Sequence, residues 1–178
     1  MANLDFKNNE LLKLGLSLMF ILAVLGYVFL QSQGLPGGMT LAISAAVGAY
    51  MAMNIGANDV ANNVGPAVGP KAISLIGAIA IAAVFEAAGA LIAGGEVVST
   101  IKKGIIDPST INDSKTFIAL MLAALFAGAL WLNLATFFGA PVSTTHSIVG
   151  GVLGAGIAAG GLAIANWRQM SAIAASWV

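Results

Sequence analysis

The chain has 178 residues, 59% of them apolar and 8% charged, with seven basic side chains balancing seven acidic ones. A soluble domain carries roughly 25% charged residues, so the composition excludes an ordinary soluble domain, and zero net charge gives no footing for nucleic acid. There is no cysteine, which removes disulfides and thiol chemistry.

The apolar stretches predict an all-α integral membrane protein. Lys7 and Lys13 lead into an apolar run, and the first helix is expected over Leu11–Leu30. No small-x-small cleavage site follows, so the run reads as a retained span rather than a signal peptide. Gln31–Gly38 is a polar turn, and a second helix is expected from Met39 to Asn54. Gly56–Pro70 then interrupts the apolar run with three Asn, one Asp, three Gly and two Pro, and a break is expected there.

A third helix is expected over Ala72–Ala93, carrying Glu86. Gly94–Lys115 is the long polar segment, within which Thr100–Ile106 suits a short interfacial helix. A fourth helix is expected over Thr116–Phe138, ended by Gly139-Ala140-Pro141, and Ser143–Ala165 is helical again. Trp167 is an interfacial residue, and Met170–Val178 begins one more apolar segment, so the sequence reads as the first half of a longer membrane protein. Basic residues divide almost evenly between the two sides, and the first helix favours a cytoplasmic N-terminus. Two polar, helix-breaking stretches at membrane depth are tolerated only around protein or a water-filled cavity, and they point to a solute site built from interrupted helices.

Two stretches carry a resemblance. Gly56-Ala57-Asn58-Asp59-Val60-Ala61-Asn62 and Pro141-Val142-Ser143-Thr144-Thr145-His146 resemble the two signatures of the inorganic phosphate transporter family, and Thr100–Asp107 is similar to a family loop. The resemblance runs from about Gly38 onward, which separates residues 1–37, an N-terminal extension with the first helix, from 38–178, a first repeat. It implies a multi-span bundle with interrupted or re-entrant helices, one half of an inverted-repeat transporter. It also implies sodium- or proton-coupled symport of inorganic phosphate, with the second repeat of the same chain as partner, a homodimer as a further association, and the inner or plasma membrane as location. The co-transported cation takes the place of a cofactor. The sequence departs from the pattern in holding one copy of the Asn-Asp motif, and in Pro66 where many members have threonine.

The residues assign the roles. A carboxylate at membrane depth is costly and functional by default, but it repels an anion, so Asp59 belongs to a cation or proton site with Asn58. Glu86 is a second such acid, as a sodium ligand, as a proton carrier, or as a structural acid hydrogen-bonded to a neighbouring helix. Ser143 caps a helix whose free N–H groups and roughly +0.5 charge suit an anion, so Ser143, Thr144, Thr145 and His146, with Asn62, are the expected phosphate ligands. His146 serves equally as donor, titrating group or internal hydrogen-bond partner. Ser143 with His146 lacks an orienting carboxylate, so no enzyme is expected. With no Lys or Arg in the expected membrane core, a phosphate of roughly −1.5 to −2 needs a co-bound cation or a further proton of its own, and coupling follows. The alternatives are a permease for another oxyanion such as sulfate, a channel, and a non-transporting membrane scaffold or receptor.

Overall fold

The computed structural model describes residues 2–111 and 113–177. The chain is α-helical, in the order α1 (Ala2–Gln31), α2 (Gly38–Val68), α3 (Leu75–Lys103), α4 (Ser114–Phe137), α5 (Thr144–Gly160) and α6 (Trp167–Ala175). Among the described residues, extended pairing is confined to one antiparallel bridge, Ile106 with Ala165. Glu10–Gln31, α2, Leu75–Ile101 and α4 are each long and apolar enough to cross a membrane, since a span needs about 20 residues.

Backbone contacts divide the chain into two units, Met1–Met53 and Asn54–Val178. In the first, α1 turns into α2 through Ser32, which is buried and whose Oγ donates to the carbonyls of Phe29 and Gly38 at 3.3 and 3.1 Å. Gly34 and Gly37 hold φ near +80° there, which glycine adopts without strain.

In the second unit, α4 and α5 form an antiparallel pair. Asp113 starts α4, its carboxylate accepting from the N–H groups of Lys115 and Thr116. Ser143 starts α5, its Oγ accepting from the His146 N–H at 3.2 Å. Both ends use the short polar acceptor expected at an N-cap. Lipid tails are as apolar as leucine, so membrane helices associate through close packing of small residues. Gly151 meets α4 this way, for a Cβ there would lie 2.7 Å from the Ala124 carbonyl oxygen. Ile105, Ile106, Leu120, Ala124, Val149, Val152 and Ile164 form the buried cluster around this pair. The bridge between Ile106 and Ala165 is closed by Asp107 N–H to Ile164 at 2.9 Å and Asn166 N–H to Ile105 at 3.0 Å.

Three expectations are corrected. The first break does not fall within Gly56–Gly65: α2 runs unbroken to Val68, and the chain turns at 69–74. Pro66 sits three residues from the end, where its missing N–H costs the helix one bond, to the Asn62 carbonyl. Gly56 and Gly65 each cost only about 1 kcal/mol, and the last carbonyls are met by Gly69, Lys71, Ala72 and Ile73. Second, Thr100–Ile106 is not a separate interfacial helix: α3 runs from Leu75 through Gly94 and Gly95 to Lys103, capped by Ser74. Third, α5 ends at Gly160 rather than Ala165, because Gly161 turns the chain at φ +72°.

Candidate functional site

The break at 138–143 is present, and it brings the start of α5 against α2. Thr144, the first residue of α5, is 8% exposed and donates its hydroxyl to Oδ2 of Asp59 at 2.9 Å. One turn along α2, Asn62 donates both to Oδ1 of Asn58 at 2.9 Å and to the Val142 carbonyl at 3.3 Å. Asn58 is buried, and Asp59 and Asn62 are partly so. The two motifs, 80 or more residues apart in sequence, are thus joined by two hydrogen bonds. Beside them lies a cavity of about 240 Å³, bounded by Asn58, Asn62, Thr136, Gly139 and Pro141.

The arrangement sets opposite charges face to face. The start of α5 carries roughly half a positive charge, and the Asp59 carboxylate lies at that end. An anion placed there alone meets a carboxylate, a repulsion that a cation or a proton on Asp59 would remove. Among the described residues no three His, Cys, Asp or Glu cluster to hold a metal. The oxygens available are one carboxylate with amide, hydroxyl and carbonyl groups, a hard donor set for a hard cation.

The remaining expected residues lie on other faces. Ser143 is the cap. Thr145 faces away from Asp59, into a second cavity of about 430 Å³ that it shares with Glu96, Thr100, Ser176 and Trp177. His146 packs its ring on Trp177, with centroids 3.6 Å apart and planes tilted 43°. Glu86 is exposed on α3, and no hydrogen bond or ion pair links it to Asp59 among the described residues. One polar pair was not foreseen: Asn133 of α4 donates to Oδ1 of Asn54 at 3.1 Å. The signal was present, since Asn54, Asn58 and Asn62 recur every four residues and so share one helical face.

The family model described as "Phosphate transporter family" matches residues 55–178, which include both motifs. The chain belongs to the phosphate transporter family. Its relatives include proteins from Helicobacter pylori strain J99 and strain 26695, each named "Putative phosphate permease", both 57% identical over 95% of this chain and 32% of their own length. A Pyrococcus furiosus protein likewise named as a phosphate permease is 49% identical over 78% of this chain and 34% of its own. A solved structure described as "The sodium-dependent phosphate transporter" is similar at 43% identity with a TM-score of 0.71, over 76% of this chain and 34% of that one. The chain therefore spans about a third of the length of the curated relatives it matches.

Proposed function

We propose that residues 38–178 are the first repeat of a symporter that carries inorganic phosphate together with sodium across the cell membrane, acting with a second repeat of the same chain. The observation that carries this reading is the 2.9 Å bond between Thr144 and Asp59. It puts a helix start suited to an anion and a carboxylate suited to a cation in one group. Each then makes the other's ligand bind more tightly: sodium at Asp59 removes the charge that repels phosphate, and phosphate returns the favour by the same factor. Asn58 and Asn62 complete the cation's oxygens, and Ser143, as the cap of α5, holds the helix start that faces the anion. A solved relative named for sodium-dependent phosphate transport supports sodium over a proton. Alternating access is relative movement of the two repeats around the site.

The test is phosphate uptake into proteoliposomes containing the full-length protein, with sodium and pH varied independently and sulfate as competitor. Sodium-driven, sulfate-resistant uptake is expected. Uptake that proceeds without any cation gradient identifies a channel, and no uptake at all identifies a scaffold or receptor.

A further inference from the structure

We propose that residues 104–107 are a fixed joint: they fasten the end of α3 to the far end of α5, so that the two travel as one body through the transport cycle. The inference rests on the transport reading above. Thr100–Asp107 resembles a family loop, and the group around Asp59 leaves it without a task. Within the long polar segment, Ile105 and Ile106 stand as an apolar pair between Lys102-Lys103 and Asp107-Pro108. Connections between elements run over the surface and are mobile as a rule. This one departs from the rule, for Ile105 and Ile106 are both 0% exposed.

Backbone and side chains both hold it. Asp107 N–H donates to the Ile164 carbonyl at 2.9 Å, and Asn166 N–H to the Ile105 carbonyl at 3.0 Å. These bonds flank the antiparallel pair of Ile106 with Ala165, which is therefore a non-hydrogen-bonded pair with its Cα atoms about 4.5 Å apart. Gly156 on α5 leaves a notch that Ile106 fills, since a Cβ there would lie 2.5 Å from Ile106 Cγ2. Gly160 leaves another for Ile164, whose Cδ1 would lie 2.9 Å from such a Cβ. Side chains packed this closely do not slide continuously past one another. Nor is there slack on the side of α3: Gly104 N–H donates to the Thr100 carbonyl at 2.7 Å, which carries the last turn of α3 directly into Ile105. Thr144 precedes Gly156 by twelve residues, about 18 Å along α5. The joint thus stands at the opposite end of α5 from the bond to Asp59, and that bond can open and close while the joint stays shut.

The experiment uses the full-length protein in proteoliposomes, carrying Ile106→Cys together with Ala165→Cys. Residues 1–178 hold no cysteine, and any cysteine in the rest of the chain is replaced by serine. A Cα spacing of about 4.5 Å admits a disulfide. Oxidation with copper phenanthroline should remove both thiols from maleimide labelling and leave the rate of sodium-driven phosphate uptake unchanged from the reduced protein. Uptake that stops on oxidation and returns with a reductant shows that the joint opens during the cycle, and overturns the inference. So does a pair of thiols that stays reduced. Should the double variant fail to reach the membrane, hydrogen exchange on the unaltered protein decides. The amides of Asp107 and Asn166 should be equally protected in sodium, in sodium with phosphate, and in neither, and loss of protection in any of the three overturns the inference. A wild type that takes up no phosphate overturns the transport reading itself and this inference with it, whereas uptake that only the disulfide abolishes overturns the inference alone.

Discussion

Thr144 and Thr145 are neighbours with the same side chain, yet they face different surroundings. Thr144 is buried and bonded to Asp59, whereas Thr145 is exposed beside Glu96 and Trp177. A hydrogen bond to a charged group contributes about 1.5–3 kcal/mol, against about 0.5–1.5 for a neutral one. Thr144→Val should therefore raise half-saturating sodium in uptake assays by about tenfold or more, and Thr144→Ser should restore it. Thr145→Val should leave it within about threefold. Equal effects of the two valine variants would break the link between Thr144 and the cation. The meeting of the two motifs was legible because Asn58, Asp59 and Asn62 are too polar to stand in an apolar run without partners. Their backbone was misread: Gly56, Gly65 and Pro66 argued for a broken helix, yet a weak propensity yields where a long helix continues on both sides. Helical spacing is also what gathers Asn54, Asn58 and Asn62 on one face, which a loop would not have done.

At the scale of elements, the start of α5 was legible, since Ser143 is a cap that a sequence states openly, whereas α4 starts at Ser114 behind the Asp113 cap, two residues before the expected Thr116. The far end of α3 was not legible, because Gly94 and Gly95 suggest an end that the helix passes through. The close contact of α4 with α5 predicts a contrast between adjacent glycines. A Cβ on Gly151 meets the Ala124 backbone at 2.7 Å, while one on Gly150 meets nothing within 4 Å. Gly151→Ala should lower the melting temperature of the full-length protein in detergent, by an overpacking cost of about 1–3 kcal/mol, and Gly150→Ala should be neutral or stabilising. Asp113 carries a pH dependence. Bonds from the Thr116 hydroxyl, and then from the N–H groups of Lys115 and Thr116, hold its carboxyl below the usual range. Its contribution to stability is thus fully present above the unfolded-state value of about 3.9 and is lost as pH falls through the lower folded value. The melting-temperature gap between wild type and Asp113→Ala should stay constant from neutral pH down to about pH 4 and close only below it. A gap that narrows between pH 7 and 5 would assign the effect to another group.

At the scale of the whole molecule, Asp59 and Glu86 part company. Asp59 lies in the hydrogen-bonded group at the start of α5. Glu86 lies on α3 among exposed apolar side chains, with Phe85 72% and Leu91 89% exposed. An acid on such a face is costly in lipid and is neutralised by a proton, a cation or a facing group. With no hydrogen bond between them, the two carboxylates should fail in different ways. Under the proposed symport Asp59→Asn removes the cation's carboxylate, so half-saturating sodium and half-saturating phosphate should rise together, as linkage between two binding sites requires. Glu86→Gln should leave half-saturating sodium near its wild-type value, because among the described residues no bond ties Glu86 to the group around Asp59. Both variants keep side-chain size, so loss of folded protein does not mimic either result. The assay is proteoliposome uptake by the full-length protein, with sodium and pH stepped separately. If Glu86→Gln raises half-saturating sodium as Asp59→Asn does, the two carboxylates share one cation pathway, and α3 must bring Glu86 to the α2–α5 group during the transport cycle.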